Sequence, residues 1–237
     1  MEFRLAIFDI DGTLIRTGGA GLRSLARAFR KLFPNHRGLH NDPDLSEYSP
    51  HGKTDPLIFR EIFRDITGRN PKDSETAELI GEYLALLPEE LSRRTGRYEI
   101  LPGVLPLLDH LEKAGVLVGL GTGNLREGAE MKLKKGKLWH RFRFGGFGAD
   151  GKNRSDVLRT AIKRGSALVG EPVPPERAIF FGDTTRDIEA VHAVGGRIIA
   201  VATGNETTEE LRKAAPALAV ETLSSPLVAS FLRLEKF

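Results

Sequence analysis

The sequence predicts an α/β protein, a Rossmann-like parallel sheet with helices on both faces plus an inserted α-helical cap domain. Three observations predict it. From about residue 98 onward, short apolar runs alternate with amphipathic stretches of ten or so residues. Several of the apolar runs end in polar, glycine-bearing turns. About eighty largely helical residues interrupt this rhythm after the first apolar run. Strands spaced by helices of that length imply right-handed crossovers and a sheet covered on both faces. The expected division is 1–15 and 98–237 for the sheet domain and 16–97 for the helical cap.

Taken in order, Arg4–Phe8 reads as the first strand, and the glycines at 18, 19 and 21 follow it. Leu22–Phe33 is an amphipathic helix. Asn35–Pro50, rich in Pro, His and Asp, is expected to be loop. Pro56–Thr67 and Ser74–Leu87 are helical, and Tyr98–Leu101 is the next strand. Leu105–Lys113 is a helix stopped by Gly115, and Val116–Leu120 a short apolar strand. Arg126–Lys137 and Ser155–Arg164 are helices, the second capped by Asn153 or Ser155. Ala178–Phe181 is a fully apolar strand, followed by the helix Arg186–Val194. Arg197–Val201, Glu206–Ala214 and Leu218–Val220 complete the alternation as strand, helix and a weak last strand.

With 237 residues, 40% of them apolar, the chain is long enough for one large domain or two unequal ones. The absence of cysteine excludes a disulfide framework and thiol catalysis. No secretory leader pattern and no run of about 20 apolar residues is seen, so the expectation is a soluble cytoplasmic protein without a membrane partner. Net charge is +3, a balance that suits steering of small anions. The basic run Met131–Arg143 is read as the solvated face of a helix. Few aromatics interleave with it, so nucleic acid is not an expected partner. The oligomeric state is not legible.

The chemistry concentrates at strand ends. Phe8-Asp9-Ile10-Asp11-Gly12-Thr13-Leu14 places two aspartates one residue apart where the first strand stops. If the strand continued, both side chains would share a face. Like charges so close need a divalent cation or a shared proton. Gly12 permits a sharp exit and Thr13 a local hydrogen bond.

This segment matches, without a mismatch, the D-x-D-G-T-L signature of the haloacid dehalogenase-like superfamily, which it resembles. The resemblance implies three further motifs in fixed order, and all three are found. Gly121-Thr122-Gly123-Asn124, after the strand 116–120, looks like the second, with the Thr122 hydroxyl and the backbone at Gly123 and Asn124 suited to a phosphoryl oxygen. The third is a cation before a helix. Lys152 has the usual spacing, whereas Phe147-Gly148 through Arg154 resembles the branch that pairs T-G-N with arginine, and Arg154 is favoured. Gly182-Asp183-Thr184-Thr185-Arg186-Asp187 resembles the acidic fourth motif. Asp183 and Asp187, four apart, can share one side of a first helical turn. Within the cap, Gly52-Lys53-Thr54-Asp55 is similar to the G-x-T-D segment of phosphoglycolate-phosphatase-like members, so Lys53, Thr54 and Asp55 are expected near the leaving group. The same segment also suits a helix start, with Thr54 or Asp55 capping ahead of Pro56.

The resemblance therefore implies a phosphatase acting on a small phosphorylated metabolite with Mg²⁺ as cofactor. Asp9 is the implied nucleophile, forming an aspartyl-phosphate, and Asp11 the implied acid and base. Asp9, Asp11 (through its carbonyl), Asp183 and Asp187 are the candidate metal residues. A phosphomutase, a phosphonate hydrolase using Lys53, and a non-catalytic phosphate-binding module remain open alternatives at this point.

Overall fold

The computed structural model describes residues 2–34, 45, 52–93 and 97–234. Six strands form one parallel sheet: β1 (Leu5–Phe8), β4 (Leu117–Gly121), β5 (Phe144–Gly146), β6 (Ala178–Gly182), β7 (Arg197–Val201) and β8 (Leu218–Val220), in the order β5-β4-β1-β6-β7-β8. Alternate residues feed two cores. Ala6, Phe8, Val118, Leu120, Ile179 and Phe181 face one side, and Leu5, Ile7, Ala178 and Phe180 face the other, the two-residue period of a strand buried on both faces. Helices α4 (Val104–Lys113), α5 (Arg126–Lys135) and α9 (Pro226–Leu232) cover the first face. Helices α6 (Arg154–Val169), α7 (Thr185–His192) and α8 (Thr208–Lys213) cover the second. Phe8 and Phe181 stack with ring centroids 4.1 Å apart, tying the two central strands together.

Register decides where the chemistry emerges. Phe8 lies level with both Leu120 and Phe181. Asp9, Thr122 and Asp183 therefore leave the sheet within two residues of one another, at its carboxyl edge. The strand order turns back at β1, and a crevice at such a switch point is where open α/β sheets bind ligands.

The inserted segment contains α1 (Ala20–Leu32), α2 (Asp55–Thr67) and α3 (Asp73–Ser92). Their apolar positions recur at helical spacing: Leu25 and Phe29; Ile58, Phe59, Ile62 and Phe63; Leu79, Tyr83, Leu87 and Leu91. They bury one another in a third core. Both chain crossings into the insertion run side by side, because β2 (Ile15–Arg16) pairs antiparallel with β3 (Glu99–Ile100).

Several expectations change. The strand anticipated at 98–101 belongs to this small two-stranded sheet and not to the main one. Helix α3 runs five residues past the expected end and includes Pro88. Proline costs one helical hydrogen bond, but burial of Leu91 and of Glu90, which accepts from Arg23 and Arg27, holds the helix beyond it. The edge strand β5 and the helix α9 were not anticipated. The loop expected at 35–50 lies, apart from residue 45, outside the described residues. Among the described residues no helix is long and apolar enough to cross a membrane.

Candidate active site

Asp9 is the first residue after β1, its N–H bonded to the Phe181 carbonyl at 2.9 Å. Its carboxylate is nearly buried and faces Arg154, whose Nη2 lies 2.8 Å from Asp9 Oδ1 and 2.8 Å from Asp187 Oδ1. The contact to Asp187 is a hydrogen bond. The one to Asp9 is close but not aligned, and Asp9 Oδ1 has no hydrogen-bond partner. Arg154 is the first residue of α6, whose N-cap Asn153 accepts from the Asp156 N–H. Lys152, two residues earlier, is exposed and outside the cavity. The structure thus brings Arg154, and not Lys152, to the carboxylates.

Asp183 follows β6 and is caged. Gly12, at φ 82°, and Gly204 press backbone against it: a Cβ on either would fall 2.2 Å and 1.8 Å from Asp183 Oδ2. Thr13 Oγ1 donates to Asp183 Oδ1 at 3.1 Å, while Oδ2 is buried without a partner. Asp187 is fastened at both oxygens, by Arg154 and by Thr184 Oγ1 at 2.7 Å. Carboxylate oxygens of Asp9, Asp183 and Asp187 all lie within 4.8 Å of one another. Burial first, then neighbouring carboxylates, hold Asp183 well above the usual carboxylate range. Burial likewise raises Asp9 against the pull of Arg154.

Asp11 stands apart from this group. Its Oδ2 accepts from Lys132 Nζ at 2.6 Å and from Asn124 Nδ2 at 2.9 Å. Lys132 also donates to Asn124 Oδ1 at 2.5 Å, and Asn124 Nδ2 to Thr122 Oγ1 at 2.9 Å. One network therefore joins the first and second motifs. Thr122 is fully buried, at the end of β4. Burial works to lower Lys132, but the carboxylates of Asp11 and Asp55 outweigh it and raise its pKa.

Lys132 is the functional-site residue that sequence reasoning missed. The basic run Met131–Arg143 reads as a solvated helix face, and the structure overturns that reading at Lys132, which is 5% exposed. The usable signal was its position. Gly128, Ala129, Lys132 and Leu133 form the buried stripe of α5, whereas Lys134 and Lys135 are exposed. A lysine on the apolar stripe of a sheet-packing helix needs a buried anion to meet it. Lys132→Met should accordingly lower the urea midpoint. The expected loss is about 2 kcal/mol, below that of a fully buried pair because the Asp11 side chain is 35% exposed. An unchanged midpoint would show that the pair adds nothing to stability.

The insertion docks on the second motif. Asp55 N–H donates to the Gly123 carbonyl at 2.8 Å, and Asp55 Oδ2 accepts from Leu125 N–H at 2.8 Å. A Cβ at Gly123 would sit 2.0 Å from the Lys53 carbonyl, so only glycine admits this approach. Burial pushes Asp55 up to about 6 against the pull of Lys132. Thr54 occupies the N-cap position of α2 and is buried, the place anticipated for it, but its side chain makes no capping hydrogen bond. Lys53 Nζ pairs with Glu61 at 2.6 Å. Between insertion and sheet lies a cavity of about 360 Å³, lined on the sheet side by Asp9, Asp11, Asn124, Lys132, Arg154 and Asp183.

The carboxylate group fits a hard divalent cation. Fully ionised, Asp9, Asp11, Asp183 and Asp187 would carry four negative charges against two from Arg154 and Lys132, and the raised affinity of Asp9 and Asp183 for a proton marks the positive charge this group lacks. Orphaned oxygens on Asp9 and Asp183 and an all-oxygen donor set suit such an ion.

A family model described as haloacid dehalogenase-like hydrolase matches residues 6–201. The chain is 25% identical over 244 residues to a probable phosphatase, IndB, of Dickeya dadantii, covering 95% of this chain and 93% of that protein. It is 29% identical to a phosphoglycolate phosphatase of Synechococcus elongatus, over 94% of this chain and 95% of the relative. Its fold is similar to that of CbbY from Rhodobacter sphaeroides in complex with phosphate, at a TM-score of 0.73 and 19% identity, covering 93% and 95% of the two chains.

Proposed function

From the premise that the chain belongs to the haloacid dehalogenase-like hydrolase family and is a phosphoric monoester hydrolase, we propose a Mg²⁺-dependent phosphatase that acts on a small phosphorylated metabolite through an aspartyl-phosphate. The observation that carries this reading is the buried Asp9 carboxylate, held between Arg154 and the orphaned Asp183 oxygen at the sheet edge.

Phosphate monoesters resist hydrolysis because their anionic oxygens repel a nucleophile, so positioning and charge neutralisation supply most of the acceleration. Asp9, Asp183 and Asp187 would hold Mg²⁺, with the Asp11 carbonyl. The bound ion supplies positive charge for the phosphoryl oxygens and relieves repulsion among the carboxylates. Asp9 attacks phosphorus as the bond to the leaving oxygen breaks. Asp11, which must carry a proton at the first step, delivers it to that oxygen and then takes one from the water that attacks phosphorus, which restores Asp9 and releases phosphate. Lys132 and Asn124 fix the plane of the Asp11 carboxyl for both transfers. Arg154 receives phosphoryl oxygens. Thr122 serves its described hydrogen bonds as an acceptor, which leaves its hydroxyl hydrogen for the same group. The unit 16–97 acts as a cap over the cavity and keeps bulk water out. The phosphonate-hydrolase alternative loses ground, because a lysine held by Glu61 is a poor Schiff-base amine.

Stripping metal with a chelator should cut turnover by about 10²-fold or more and lower the melting temperature, and added Mg²⁺ should restore both. Full activity in thoroughly metal-stripped protein would refute the metal requirement.

A further inference from the structure

Away from the carboxylates the cavity changes character. Much of its cap-side wall is apolar: Leu22 and Leu25 of α1, Ile58 and Phe59 of α2, Tyr83 of α3 and Ile15 of β2, with Thr17, Lys53 and Asp55 also reaching it. Four of these, Leu25, Ile58, Phe59 and Tyr83, are 2–5% exposed and packed in the cap core. The wall is therefore preformed. The Phe59 and Tyr83 rings meet edge to face at 5.1 Å and 67°, an aromatic corner that can receive a third ring by edge or offset contact.

The cations bordering the cavity are already engaged. Among the described residues they are Arg16, Lys53, Lys132 and Arg154. Arg16 pairs with Glu99, Lys53 with Glu61, Lys132 with Asp11, and Arg154 with Asp187. A leaving group bearing its own carboxylate would lose hydration against an apolar wall and, with Arg154 given to the phosphoryl group, would compete with Glu99, Glu61 or Asp11 for Arg16, Lys53 or Lys132. An apolar body incurs no such polar desolvation cost and gains from leaving water. The volume, about 360 Å³, also falls in the range of sites that enclose ligands far larger than a two-carbon acid.

We propose that the physiological leaving group is an alcohol with a neutral, largely apolar body, ring-bearing or branched, and that carboxylated alcohols such as glycolate are poor leaving groups here. This inference rests on the phosphatase reading above and adds the substrate class. Leu22, Ile58, Phe59 and Tyr83 are the specificity-determining residues it assigns.

The test compares benzyl phosphate with 2-phosphoglycolate in the full chain with Mg²⁺. Both present a CH₂–O–P linkage, and they differ in carrying a ring or a carboxylate. Acetyl phosphate serves as a third substrate that asks little of the wall. The expected result is a kcat/KM for benzyl phosphate about tenfold or more above that for 2-phosphoglycolate. Leu22→Arg, at a half-buried position, should narrow that ratio, and Phe59→Leu, which keeps an apolar core, should lower benzyl phosphate turnover selectively. An equal or reversed ratio with acetyl phosphate still hydrolysed overturns the inference and leaves the phosphatase reading standing. A ratio that holds in wild type but moves in neither variant overturns the assignment of this wall. No turnover of any of the three overturns the phosphatase reading itself.

Discussion

Asp9→Asn should abolish phosphate-ester turnover, by about four orders of magnitude, in a protein that folds normally. An amide has neither the charge nor the basicity to attack phosphorus, whereas its shape is that of the carboxyl it replaces. The same substitution has an expected effect on stability that separates a catalytic from a structural role. Burial, opposed by Arg154 and reinforced by Asp187, raises the folded-state pKa of Asp9 above its ordinary 3.8. Between those two values the folded state binds the proton more tightly than the unfolded one. Stability from this group is therefore full below pH 3.8 and is lost as pH rises through the folded-state value. In metal-free protein at neutral pH the variant should melt no lower than wild type, and its decline in stability above about pH 4 should be shallower. Arg154 keeps its hydrogen bond to Asp187 in either case. Calorimetry across pH, beside phosphate-release assays, checks both halves. Wild-type turnover by the folded variant, once deamidation is excluded, would remove Asp9 as nucleophile.

Arg154→Ala is expected to cost about 10²- to 10³-fold in kcat/KM, while Lys152→Ala should change it by less than about twofold. Arg154 sits 2.8 Å from two buried carboxylates, and Lys152 is exposed. Removing the guanidinium also leaves Asp9 and Asp187 facing each other uncompensated. Breaking a buried pair in this way costs about 3–5 kcal/mol, so denaturant midpoints belong beside the kinetics. Arg154→Lys restores charge without the planar fork and should recover stability better than activity. A larger kinetic loss for Lys152→Ala than for Arg154→Ala would reverse the assignment.

The sheet was legible because its strands are short, apolar and bounded by turn residues. Ala178–Phe181 and Arg197–Val201 could be little else. Helix α1 was legible from its amphipathic period. The edge strand β5 was not, because Phe144-Gly145-Gly146 has no β-branched residue and little intrinsic preference. It is a strand because β4 offers it an unpaired edge. The end of α3 was misplaced because Pro88 signals a stop locally, and Glu90 and Leu91 are held by residues more than sixty positions away or packed from other helices.

The sequence by itself determined the chemistry available at the carboxyl edge: Asp9 and Asp11, Thr122, and Asp183 with Asp187 all follow apolar runs, and parallel pairing brings such ends to one level. Tertiary structure alone decided which charges meet. It chose Arg154 over Lys152 because α6 begins at 154 and directs only that side chain to Asp9 and Asp187. It drew Lys132 out of a basic run and set it on Asp11, and it built an apolar wall from three helices whose residues carry no shared motif. Local patterning reports what a segment prefers to bury, whereas the partner of a buried charge is supplied from elsewhere in the chain and is fixed only when the elements pack.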